Sequence, residues 1–245
     1  VGASELQRIY AALSSQADAV NRVGWRDRLQ QSAYFEALVE IGERDTSSVL
    51  DVGCGQGDLY AFLCARGFNG RYTGIDLSPE LITSARERFP AAHFVLGDVL
   101  DAGLAPHDFV LASGLFDYRT SDSPTRLRAT LRRMFDLARL GVAWNMFAVA
   151  PPGRADLYHE PLGDLVAFCD ELTPHFTLRR DYDPAHFTVY LYQREFFMTD
   201  GLVRLMGRLY LDSALRADVK QNPARYAQEY GLTFQQLNVI AGLLE

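Results

Sequence analysis

The chain has 245 residues, close to half of them apolar, and a formal net charge of −7 at pH 7. That length allows one α/β domain with extra elements, and the apolar share supports a real core. Lys220 is the single lysine and no basic stripe carries interleaved aromatics, which argues against nucleic acid as a partner; no long apolar span and no signal peptide is seen, so no membrane partner is expected.

Three widely spaced cysteines, Cys54, Cys64 and Cys169, make no disulfide framework and predict a reducing, cytoplasmic setting. The chain opens on Val1 rather than Met, which reads as a trimmed or tagged start. Ser4 caps a first predicted helix running to about residue 20, with Leu6, Ile9, Tyr10 and Leu13 on one face. After Gly24 and Trp25 a second helix spans about 27–41.

Residues 49–52 read as a buried strand, followed by Gly53, Gly55 and Gly57 on alternate positions and a helix from Asp58. A dinucleotide turn would carry its third glycine at position 58, where this chain has Asp58, and no Gly-Lys-Ser/Thr follows for a P-loop. Asp51 and Asp58 place carboxylates on both sides of the turn, which repels a phosphate and suits a ligand with positive charge. Further strands are predicted at about 71–75, 93–96, 108–112 and 141–148, and helices at about 58–66, 79–88 and 124–139. Ser78-Pro79 and Ser123-Pro124 mark two helix starts. Pro151-Pro152-Gly153 ends the fifth strand's segment; a helix over 162–172 and strands at 176–180 and 187–192 follow. From 196 to 215 apolar residues recur at helical spacing, Asn222-Pro223 breaks the pattern, and two short helices are predicted around Gly231.

The stretch from Val49 to Leu59 resembles motif I of the class I S-adenosylmethionine (SAM)-dependent methyltransferases, and the resemblance continues in order through residues 46–193. It implies a Rossmann-like, doubly wound seven-stranded sheet over 46–194, with an N-terminal helical cap over 1–45 and a C-terminal helical appendage over 195–245. It also implies SAM as cofactor and S-adenosylhomocysteine (SAH) as product. By this likeness Asp51, Gly53, Gly55, Gly57, Leu77, Val99 and Ser113 border the cofactor, Asp76 takes the ribose hydroxyls and Asp98 the adenine amino group. Helices ahead of the first strand often cap the pocket in this superfamily, so Trp25, Gln31 and Tyr34 are candidate lining residues.

The acceptor then belongs beyond the fourth and fifth strands, near Asp117, Tyr118, Arg119, Asn145, Tyr158, His159 and Glu160. Tyr118 or His159 is the candidate catalytic base, needed only when the acceptor carries a proton that must leave. No nucleobase-amine motif Asn-Pro-Pro-Tyr, no Gly-x-Ser-x-Gly and no metal-ligand spacing is present, so neither a hydrolase nor a metal site is indicated. The expected activity is methyl transfer to an O or N atom of a small metabolite. The alternatives are a peptide-modifying methyltransferase and a SAM-binding protein without transferase activity. The segment 215–243 resembles a small helical module of a ring-cleaving dioxygenase subunit and of some peptide leaders. The apolar face at Leu202, Leu205, Met206 and Leu209 must be buried, on the chain's own core, on a twin subunit as a homodimer, or on a peptide.

Overall fold

The structure is a computed structural model that describes residues 2–14, 27–42, 46–149, 152–193, 200–233, 236–237 and 240. Strand β1 (Val49–Val52) is buried along its whole length, as an apolar β-branched run in a two-sided sheet should be. It pairs in parallel with β2 (Tyr72–Asp76) on one side and β4 (His107–Ala112) on the other. With β3 (His93–Leu96), β5 (Ala138–Phe147), β6 (Phe176–Arg179) and β7 (His186–Tyr192) they form one seven-stranded sheet of order β3-β2-β1-β4-β5-β7-β6. Only β7 runs antiparallel to its neighbours, β5 and β6. The strand order reverses between β1 and β4, so the crevice at their carboxyl ends is where a ligand fits.

Two apolar layers cover the sheet. Successive residues of β4 alternate between them, with Phe109 and Leu111 on one face and Val110 and Ala112 on the other. Helix α5 (Ser123–Leu137) seals the second face through Leu127, Leu131 and Met134, spaced for one helical side. The first face takes α2 (Arg28–Val39), capped by Asp27, and α3 (Asp58–Cys64). Helix α4 (Pro79–Arg88) starts where Ser78 accepts from the Leu81 amide, and α6 (Leu162–Leu172) follows β5. The start of β5 at Ala138 is three residues earlier than the pattern suggests, because Ala138 already pairs with His107.

The tail differs from expectation. One helix was predicted over 196–215, yet two are present, α7 (Asp200–Leu211) and α8 (Ser213–Gln221), before α9 (Pro223–Tyr230). Asp212 divides them: its backbone is extended and its side chain accepts from the Leu215 amide, an N-cap bond that competes with helix continuation. Leu202, Leu205, Leu209, Leu215 and Tyr226 join the same apolar cluster as Leu38, Leu59 and Tyr190, so the tail's apolar face is buried within the chain. Gly201 lies so close to the Tyr230 carbonyl that a Cβ there would stand 1.9 Å from its oxygen, which fixes how α7 meets α9. Among the described residues no helix is long and apolar enough to cross a membrane.

Helix α1 (Gly2–Ser14) lies across the carboxyl end of the sheet. Gln7 donates to the Leu77 carbonyl after β2, Tyr10 donates to the Gly114 carbonyl after β4, and Glu5 accepts from the backbone and hydroxyl of Ser121. Residues 15–26, including Trp25, lie outside the described residues.

Candidate active site

The site begins at the turn after β1. The amides of Gly53 and Cys54 both donate to the Ile75 carbonyl, at 2.8 and 3.1 Å, which ties the turn to β2. Gly55 has a φ of 54° and donates its N–H to Asp76 Oδ2 at 2.9 Å. The other Asp76 oxygen accepts from the Ser78 amide at 2.8 Å. Each oxygen thus holds one backbone donor and retains a further lone pair. Burial raises the Asp76 carboxyl above its usual range, and these amides pull it partly back.

One continuous cavity opens at these carboxyl ends. Its walls include Asp51, Gly53, Gly55, Asp76, Leu77, Asp98, Val99 and Ser113, all expected there. Gly57 is not in the wall: its φ of 83° and the Phe89 ring, 3.0 Å from where a Cβ would stand, account for glycine at that position by packing. Asp58 borders the cavity, but it is paired with Arg88 at 2.8 Å and takes amide protons from Gln31 and Gln56. Its charge is therefore largely compensated, and the pair of bare carboxylates inferred from the sequence reduces to Asp51. That side chain is only 2% exposed, accepts from the Tyr72 hydroxyl at 2.6 Å, and is pushed up to about 7 by burial. Asp98 is likewise engaged, by Arg126 at 2.7 Å and by the Leu100 amide at 3.1 Å.

Of the cap residues, Gln31 lines the cavity, whereas Tyr34 is fully buried behind it with its hydroxyl 2.5 Å from His186 Nδ1. Tyr118 lines the cavity, with its ring packed edge-on against Tyr10 at 5.8 Å. His159 does not line it, although its neighbour Tyr158 does. Asn145, buried in β5, accepts from the Gly114 amide and the Ser113 hydroxyl and so fixes the loop after β4.

Sequence reasoning passed over Leu6, Tyr10, Arg126 and Thr130, which also form the walls. Leu6 and Tyr10 had a signal, one helical turn apart on the apolar side of α1. Arg126 had another: a cation in the first turn of a helix runs against the macrodipole and asks for an acidic partner, here Asp98.

A doubly wound sheet with an anchored acid at the end of β2 and a cavity across the reversal point defines a Rossmann-like cofactor-binding enzyme. A methyltransferase-domain family matches residues 49–141. The chain is 32% identical over 160 residues to a Mycobacterium tuberculosis protein classed as a methyltransferase, covering 61% of this chain and 95% of that one. A trans-aconitate 2-methyltransferase of Paracidovorax citrulli is 44% identical over 64 residues, 26% of this chain and 25% of the relative's length. The magnesium protoporphyrin IX methyltransferase of Synechocystis PCC 6803, solved with SAM bound, shares the fold at a TM-score of 0.57 and 18% identity, over 79% of this chain and 97% of that one. The chain belongs to the class I SAM-dependent methyltransferases. It is an enzyme of that kind, with SAM as its cofactor.

Proposed function

We propose that the protein methylates an O or N atom of a small metabolite, and that the cofactor lies along the wall from Asp51 to Val99. The observation that carries this is the continuous cavity whose wall runs from the Gly55–Asp76 cradle to Tyr10, Tyr118 and Tyr158. In this reading the Asp76 lone pairs accept the ribose hydroxyls, Asp98 and Val99 border the adenine, and Gly53, Gly55 and Leu77 let the backbone approach closely. Ser113, held by Asn145, and Asp51 sit toward the charged end. The residues fit the group: the buried Asp51 carboxylate and the Asp76 carboxylate offer acceptors to an ammonium and to hydroxyls, and the one cation in the wall among the described residues, Arg126, is paired with Asp98. When bound there, SAM supplies an electrophilic methyl group. The chain's own part is to position the acceptor and exclude water.

Tyr118 and His159 are the proton-handling candidates named by the sequence. Tyr118, in the wall, is the better placed; burial raises its hydroxyl pKa, so it suits a hydrogen-bonding role better than that of a resting base. Small-molecule transfer is supported by the trans-aconitate enzyme among the relatives, of whose length this chain covers a quarter. Burial of the tail's apolar face within the chain supports a structural appendage over a peptide-recognition module. Incubating the full chain with SAM and fractionated metabolite and peptide pools, followed by mass spectrometry, tests the reading. Methylated product in the metabolite pool with matching SAH is expected. Product only in the peptide pool would overturn it.

A further inference from the structure

Helix α1 borders two concavities. Leu6 and Tyr10 line the cavity described above, whereas Glu5 and Arg8 line a second, open groove together with Arg119, Thr120 and Ser121 of the loop after β4. Thr120 stands in the wall of both, so the groove lies beside the end of the cavity that carries Tyr118.

Arg119 is held in place without being neutralised. Its amide donates to the Asp156 carbonyl at 2.8 Å, its Nε donates to the Ala155 carbonyl at 3.3 Å, and its guanidinium carbon lies 5.3 Å from the centre of the Tyr158 ring. That ring is itself fixed. Tyr158 lines the cavity, its hydroxyl donates to the buried Glu160, and Glu160 is paired with Arg128 at 2.6 Å. The Asp156 carboxylate is taken by Arg154 at 2.6 Å. Arg119 therefore pairs with no carboxylate among the described residues, and its two Nη groups keep their donors for a ligand. Arg8 is in the same condition, with its Nε on the Ser4 carbonyl at 3.3 Å and no carboxylate paired to it among the described residues. The one carboxylate in the groove wall, Glu5, is already engaged by the Ser121 amide at 2.8 Å and hydroxyl at 3.0 Å. In a chain of net charge −7, the groove thus holds two guanidiniums against a single occupied carboxylate. An anchored guanidinium loses little side-chain freedom when it takes up an oxyanion, and its planar fork matches one with two parallel donors.

We propose that Arg119, with Arg8, binds an oxyanion of the methyl acceptor, so that the acceptor is an acid, a carboxylate or a phosphate ester, whose reacting end enters the cavity beside Tyr118. This rests on the methyltransferase reading above. The cavity takes the atom that receives the methyl group, and the groove reads the charge at the acceptor's other end.

The test loads the full chain with SAH and titrates succinate, succinamide and inorganic phosphate while NMR follows the arginine Nε–H signals. Arg8→Lys and Arg119→Lys identify the two signals in question. Succinate or phosphate should shift both more than any other arginine signal, and succinamide should not; the anion that saturates at the lower concentration tells a carboxylate acceptor from a phosphate one. Both signals unmoved by either anion, or succinamide acting as strongly as succinate, overturns the proposal. The metabolite pool is then split by anion exchange and each fraction incubated with SAM and the chain. Methylated product from the retained, anionic fraction is expected. Arg119→Gln should raise KM for that acceptor at least about tenfold, more than it lowers kcat, and Arg119→Lys should restore part of the loss. Product only from the unretained fraction, or a KM indifferent to Arg119→Gln, also overturns the proposal. Unchanged SAH affinity reports that the variants fold; if Arg119→Gln does not, the wild-type titration and the fraction that yields product decide. No product from any fraction would refute the methyl-transfer reading, and the titration would still decide this one.

Discussion

The cavity wall along β1, β2 and β3 and the region behind the wall at β4, β5 and β7 treat their polar groups differently. At the end formed by β1, β2 and β3, each carboxylate already has a donor: Asp51 from Tyr72, Asp58 from Arg88, Asp76 from two backbone amides, and Asp98 from Arg126. Outside the cavity wall, in the loops after β4 and β5 and at the start of β7, Asp117 Oδ1, His159 Nδ1 and His186 Nε2 are buried without hydrogen-bond partners. His186 faces Phe147 across the last pair of the β5–β7 ladder and is held neutral, at about 4, by burial. The first end is preorganised: its charges are fixed before any ligand arrives, so little reorganisation is needed on binding. The second region leaves its hydrogen-bonding capacity unused.

The largest expected effect is on the preorganised end. Gly55→Val places a β-branched residue at left-handed φ, a strain of about 1–2 kcal/mol, and adds bulk in the cavity wall. SAH binding should vanish in calorimetry while the circular dichroism spectrum is kept. Retained binding would show that the turn is no cradle. Next, Leu205→Ala should lower stability by about 2–5 kcal/mol, since Leu205 is fully buried under the first sheet face. Urea unfolding measures this. If the tail only supports the fold, SAH affinity of the folded protein stays within about twofold.

A smaller effect is on pH. The Asp51 and Asp117 carboxyls titrate near 7 when folded against 3.8 as the ordinary value. Between those values the native state binds more protons than the unfolded chain, so their contribution to stability falls as pH rises from about 4 to about 7 and is flat beyond. Urea midpoints of the ligand-free protein across that window should decline, and Asp51→Asn or Asp117→Asn should flatten the decline. The smallest effect is expected for Tyr72→Phe, about 1 kcal/mol from one lost buried hydrogen bond. It should also move the pH decline upward, because the Tyr72 hydroxyl holds the Asp51 carboxyl down.

The preorganised end was legible in the sequence because its parts are local. Strand, glycine turn and helix follow one another from Val49 to Cys64, and the acids end their strands. The alternation of strands and helices followed from apolar runs separated by helix starts. The other end is assembled from distant segments. Asn145 reaches Gly114, Tyr34 reaches His186 across 152 positions, and Tyr10 reaches Gly114 across 104. No periodicity encodes such meetings. Gly57 stands outside the cavity wall, and a glycine needed for packing against Phe89 reads in sequence the same as one needed for a ligand. The break at Asp212 was missed because apolar spacing continues through it, although an aspartate before a helical turn is a cap signal.

The account turns on Asp76 and the turn it anchors. Titrating SAH and NAD into the wild type and into Asp76→Ala by calorimetry tests it most directly. Wild-type protein should bind SAH and give no heat with NAD. Asp76→Ala should weaken SAH by about 2–3 kcal/mol, the usual worth of hydrogen bonds to a charged group, with the fold intact. NAD binding in place of SAH, or SAH affinity indifferent to the loss of Asp76 in a folded variant, would contradict it.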